Sequence, residues 1–251
     1  MRQNDGNVHD WHPDLFRVLV TLGESTTAGG WSTTPERCWA ARLAARISDF
    51  QDEPVQLINS GIGDNVISTR SAGYEGSGKP AASERIGRHV IAHRPDLLIV
   101  SYGLNDARGG TPIGVFREEL VSLLAGIREG CSPLIVLLGS YFSLRESGEE
   151  RERLAHATPA VYEAFNAAIE EVARDSGCLF CDVYRVYGGA PWLVHVDRIH
   201  ANDVGHQIVA DTIFRTLATN CSGLAARTWR IEQESPRWRD EAQLRADYGY
   251  E

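Results

Sequence analysis

The stretch Phe16-Arg17-Val18-Leu19-Val20-Thr21-Leu22-Gly23-Glu24-Ser25-Thr26 carries the reading of this chain. Its first half is a short leucine- and valine-rich run of the kind that forms a parallel strand covered by helices on both faces. Its second half turns polar, and Ser25 stands just beyond the end of the strand. That is the edge where an open α/β sheet presents reactive groups to a ligand. Gly23 permits a tight exit from the strand. Taken alone, Ser25 reads equally well as a serine capping a turn.

Four more runs share this apolar character, so that strands are expected at 16–22, 55–59, 97–102, 134–139 and 179–183. Helical spacing between and after them predicts helices over 35–50, 81–93, 113–129, 159–175 and 203–218. Pro35 and Pro159 suit the first turn of a helix. Pro95 and Pro133 stand just before strands, where a helix has already ended. The alternation predicts an α/β fold, a three-layer α/β/α domain around a five-stranded parallel sheet with right-handed crossovers. Residues 71–82 and the charged stretch 141–153 read as long loops at the carboxyl ends of strands. The domain is expected to span residues 1–221. Residues 222–251 read as an extension with a helix over 237–247, its aromatics packed back on the domain or at a contact between copies of the chain.

With 251 residues, 43% of them hydrophobic, the chain is long enough to bury a substantial core. Its formal net charge of −9 argues against nucleic acid or an anionic membrane as a partner. Cys38, Cys131, Cys178, Cys181 and Cys221 are odd in number and irregularly spaced, which is no disulfide framework. Cys178 and Cys181 lie in an apolar run and do not open a helix, which favours buried structural thiols over a redox pair. Residues 1–13 are polar, without the apolar centre of a signal peptide. No apolar run approaches the roughly 18 residues of a membrane helix. A cytoplasmic location is expected.

A serine nucleophile needs a base, a group that orients the base, and donors for an oxyanion. Three later segments supply these residue types: Asn59-Ser60-Gly61, Gly103-Leu104-Asn105-Asp106 and Asp197-Arg198-Ile199-His200. In the last, a short loop can bring the Asp197 carboxylate to Nδ1 of His200 and leave Nε2 free as the base. A glycine at 61 lets its backbone N–H approach a substrate closely. The Asn105 side chain is a neutral donor. Ser25, Asp197 and His200 are therefore the expected catalytic residues, with the Ser25 amide, Gly61 and Asn105 as oxyanion donors. Asn65, Tyr141, Trp192 and Val196 are candidate pocket walls. Each residue on its own also fits a turn, a surface loop or the core.

In order and spacing the four blocks resemble those of the SGNH hydrolases, also called GDSL-type esterases and lipases. Gly23-Glu24-Ser25 stands for that family's Gly-Asp-Ser, Gly61 for its glycine after a strand, Gly103-Leu104-Asn105-Asp106 for its Gly-x-Asn-Asp, and Asp197 with His200 for its Asp-x-x-His. The resemblance runs from about Val18 to Thr216. It implies a flavodoxin-like sheet, a Ser-His-Asp mechanism and no metal or other cofactor. Glu24 replaces an aspartate that in the family supports the turn, so the extra methylene is expected to shift the nucleophile loop. The substrate class implied is a small carboxylic ester. A short acyl group on a carbohydrate or other small alcohol is favoured, because no long apolar lid is visible.

Three other readings follow from the same residues. An acyl-enzyme can be resolved by an alcohol in place of water, making the protein an acyltransferase. The run from Gly73 to Lys79 nearly spells a phosphate-binding loop, but Pro80 stands where that loop needs Ser or Thr. His195, Asp197, His200 and His206 could be drawn as a metal site, although their spacing matches no standard ligand pair. There His206 is expected on the last helix, facing solvent or capping it.

Overall fold

The computed structural model of the chain describes residues 9–141, 143–144, 154–187, 190–234 and 241–250. In chain order the elements are β1 (Val18–Gly23), α1 (Ser25–Ala28), α2 (Trp39–Gln51), β2 (Gln56–Gly61), α3 (Tyr74–Ser77) and α4 (Ala82–His89). There follow β3 (Leu97–Ser101), α5 (Leu104–Arg108), α6 (Ile113–Gly130), β4 (Leu134–Leu138), α7 (Pro159–Asp175) and β5 (Leu179–Cys181). The chain continues with α8 (Val183–Tyr187), α9 (Asp203–Asn220), α10 (Ala226–Glu234) and α11 (Glu241–Tyr248).

All five strands pair in parallel in the order β2-β1-β3-β4-β5, the doubly wound arrangement expected from the sequence. β3 is buried along its whole length, as continuous apolar runs under two helical layers require. On one side of the sheet α2 packs against α9; on the other α4 packs on α6 and α6 on α7. The sheet's register decides where chemistry can gather. Gly23 pairs with Gly61 on one side and with Ser101 on the other. Three strands therefore end side by side, and the segments that follow them start from one line.

Several element bounds differ from the sequence expectation for local reasons. The second helix begins only at Trp39, after a single 3₁₀ turn at Pro35–Arg37, because Cys38 is extended (φ −67°, ψ 149°). The fourth helix stops at His89 because Val90 leaves helical geometry. The fifth strand is cut short at Cys181, and α8 begins at Val183. The expected loop 71–82 contains the single turn α3, and most of the expected loop 141–153 lies outside the described residues. Cys178 and Cys181 are buried free thiols. In the extension, the expected helix over 237–247 is described only as α11, and α10 precedes it. In the extension, α10 contacts α2, while the side chains of Trp229, Tyr248 and Tyr250 are exposed. Among the described residues no helix is long and apolar enough to cross a membrane.

Candidate active site

Ser25 is the first residue of α1, so its side chain and its unbonded N–H emerge together at the end of β1. His200 and Asp197 reach it from a tight loop just before α9. That loop is closed by an antiparallel bridge between Val194 and Ala201, by the His195 N–H on the His200 carbonyl at 2.7 Å, and by Arg198 in the left-handed region (φ +67°). Asp197 Oδ1 accepts the backbone N–H groups of Ile199 at 3.0 Å and His200 at 3.1 Å. Its Oδ2 accepts Nδ1–H of His200 at 2.5 Å. The tautomer is thereby set. Nε2 of His200 is left to accept from the Ser25 hydroxyl, at 2.8 Å.

The electrostatics suit a base poised in its neutral form. Burial would raise the Asp197 carboxyl, but the bonds from His200 and from the two amides outweigh it and hold the group at about 2. Burial lowers His200 below the ordinary histidine value and outweighs the opposing pull of Asp197. The positive charge of Arg108 pushes in the same direction as burial.

A cavity of about 410 Å³ opens over these groups, and Ser25, Asn105, Asp197 and His200 line it together with Trp31, Gly63, Lys79, Arg108 and Leu154. Asn105 sits on the short helix α5. Its Oδ1 accepts Arg108 Nη1 at 3.1 Å, and its Nδ2 donates one proton to the Asn65 carbonyl at 3.1 Å. The second Nδ2 proton remains for the cavity. Glu24 fixes the base of this arrangement. Its buried carboxylate accepts the N–H of Gly103 at 3.0 Å and of Asn105 at 3.1 Å. Burial and then the charge of Asp106 raise its pKa well above the usual carboxylate value, against the pull of the two amides.

Gly61 does not serve as expected. Its N–H donates to Asn59 Oδ1 at 3.0 Å, and a Cβ there would lie 2.1 Å from Ala28 N, so its α-carbon is pressed against the backbone of α1. Gly63 takes its place at the cavity wall, two residues later. Room for a methyl at Gly63 opens toward Ser25 Cβ, 3.9 Å away. The four candidate pocket residues lie elsewhere as well. Asn65 is fully buried under the site, with its side chain between Pro80, Arg85 and Tyr102. Tyr141 is buried in the core, and Trp192 and Val196 are exposed outside the cavity.

Trp31, Arg108 and Leu154 carry no sequence signal that marks them for the site. Lys79 did carry one, in the phosphate-loop reading. In the structure that run forms the single turn α3, then Gly78 at φ +60°, and Lys79 Nζ donates to the Gly63 carbonyl at 2.5 Å. It does not join a strand to a helix as a phosphate loop must. In the drawn metal set, His195 and His200 both face the Asp197 carboxylate, at 3.3 and 2.5 Å, and their Nδ1 atoms are taken up there. His206 is buried rather than facing solvent, with Nδ1 accepting the Trp39 N–H. Among the described residues no three His, Cys, Asp or Glu side chains form a metal-holding group.

Known structures share the fold of the chain. A lipase/acylhydrolase from Enterococcus faecalis superimposes with a TM-score of 0.62 at 22% identity, covering 80% of this chain and 95% of that one. An acetylxylan esterase from Geobacillus stearothermophilus gives 0.61 at 18% identity, over 82% and 95%. The psychrotrophic esterase EstA from Pseudoalteromonas sp. gives 0.61 at 17% identity, over 80% and 97%. No curated protein sequence matches the chain. The GDSL-like lipase/acylhydrolase family matches residues 21–208, from the end of β1 before Ser25 through the loop that carries His200, and the chain belongs to that family.

Proposed function

We propose that this carboxylic ester hydrolase works through an acyl-enzyme on Ser25, with His200 as base and Asp197 as its orienting partner. The observation that carries the reading is the continuous line of hydrogen bonds Asp197–His200–Ser25, at 2.5 and 2.8 Å, opening into a cavity. His200 takes the Ser25 proton as Oγ attacks the ester carbonyl, and Asp197 balances the imidazolium. The N–H groups of Ser25 and Gly63 and the second Nδ2 proton of Asn105 receive the oxyanion. His200 Nε2 then gives its proton to the leaving alcohol. Water, activated in turn by His200, releases the acid and restores Ser25.

The substrate is a short acyl ester, acetyl foremost, of a carbohydrate or other small alcohol. The support is the modest cavity and its mixed lining, with Leu154 and Ile199 beside Lys79, Arg108 and Asp64. An ester panel of increasing acyl length, run on wild type and on Ser25→Ala, tests both points. Ser25→Ala is expected to lose roughly a thousandfold or more in turnover, and full activity in that variant would sink the mechanism. Added alcohol acceptors separate hydrolysis from acyl transfer. Because burial holds His200 below the ordinary histidine value of 6.5, the acid limb of kcat/KM is expected to have its midpoint below pH 6.5.

A further inference from the structure

The geometry points to Trp31 as a positioning residue for His200, clamped in place by Asp203; this rests on the proposed role of His200 as the base. The Trp31 indole lies face to face on the His200 imidazole, with ring centroids 3.3 Å apart and planes 6° from parallel. Two in-plane hydrogen bonds, one at each ring nitrogen, hold the imidazole along a single line. They do not stop the ring from tilting about that line. A flat ring stacked on one face does, and it also closes that face to water.

The indole is itself anchored. Gly29, in the left-handed region at φ +75°, turns the chain after α1 toward the rim of the site. The Ser32 hydroxyl lies between the Gly29 carbonyl at 2.7 Å and the Thr34 carbonyl at 2.8 Å, its one proton serving either. Asp203, three residues after His200, then grips the far side of the loop. Its carboxylate accepts the Thr33 N–H at 2.8 Å, the Thr33 hydroxyl at 2.6 Å and Arg37 Nη1 at 2.8 Å. Stacked indole and imidazole thus hang from one carboxylate. The bonds from Thr33, followed by that from Arg37, hold Asp203 at about 2, so the clamp stays charged wherever the enzyme works. The groups that set the proton affinity of His200 are Asp197 and His195 on its own loop, Arg108 from α5 and His206 from α9. Trp31 adds no charge to them and acts by shape and exclusion of water.

The test is the pH profile of kcat and KM for Trp31→Leu, Trp31→Phe and Asp203→Ala beside Ser25→Ala. Trp31→Leu is expected to lower kcat roughly tenfold with little change in KM, as a tilted base would. With the face open to water, its acid limb should move up toward the ordinary histidine range. Trp31→Phe, which keeps a flat ring, should restore both. Asp203→Ala should move both in the direction of Trp31→Leu without touching the indole, and it serves in place of Trp31→Leu if that variant does not fold. Unchanged kcat and an unmoved acid limb in Trp31→Leu and Asp203→Ala, with Ser25→Ala inactive, overturn the role of Trp31 alone. A lower kcat with an unmoved limb and no rescue by Trp31→Phe also overturns it. Full activity in Ser25→Ala instead removes the reading of His200 on which the inference stands.

Discussion

Glu24 does for α5 what a capping residue does for its own helix. Gly103 and Asn105 lie at the start of α5, where backbone N–H groups have no partner within the helix. Glu24 reaches them from the far side of the nucleophile turn, so one carboxylate ties the serine segment to the asparagine segment. The longer side chain, in a place where an aspartate is usual, is thereby put to use. Glu24→Ala is expected to leave two buried amides unpaired and to cost on the order of 2 kcal/mol of stability. It should also lower kcat about tenfold or more by releasing Asn105. Thermal melts and steady-state kinetics on the same sample check both. The meeting of Ser25, His200 and Asp197 was legible in the sequence because it follows from side-chain identity, and Asp-x-x-His is local. The glycine at the cavity wall was not legible because Gly61 and Gly63 look alike in Asn59-Ser60-Gly61-Ile62-Gly63. Only the course of the chain beyond the strand tells which of them turns toward the serine.

The contact between β2 and α1 shows what Gly61 is for. With Ala28 N 2.1 Å from where its Cβ would lie, Gly61 lets the helix that begins with Ser25 settle directly onto the neighbouring strand. Gly61→Ala is therefore expected to push α1 away, at about 1–3 kcal/mol in stability, and to displace Ser25 with it. Gly63→Ala makes the opposite pattern. Its methyl meets neighbours only at 3.9 Å, so the melting temperature should hold while activity on the larger esters falls as the cavity beside Ser25 fills. Denaturation curves and the ester panel together separate the two glycines. The five strands and the long helices were legible because each repeats its pattern over enough residues to register. The single turns α1, α3 and α5 were not, since four or five residues carry no period. The pocket walls were not legible either, because loops far apart in sequence set them.

The two ends of the domain meet across α2 and α9. Trp39 N–H donates to His206 Nδ1 at 3.3 Å, Arg42 bonds Gln207, Arg46 pairs with Asp211, and the Phe50 and Phe214 rings lie 5.0 Å apart. Burial drives His206 down to about 4. A depressed histidine contributes stability that is complete above its unfolded value and is lost as acid protonates the unfolded chain first. Between pH 6.5 and 4 the loss due to His206 should be on the order of 3 kcal/mol. His206→Asn, which keeps an acceptor for Trp39, is expected to flatten that slope in urea melts taken across the window. A steeper slope in the variant would show that other groups dominate. The same seam has a consequence for how the protein is made. Ser25 emerges from the ribosome before Asp197 and His200, which come from the loop that leads into α9, the helix that closes the seam. On the proposed mechanism a nascent chain can therefore place Ser25 at the end of β1 and still have nothing to deprotonate it. On the proposed mechanism the protein stays inert until α9 is made and docked, so appearance of ester hydrolysis during translation would time the docking of that helix.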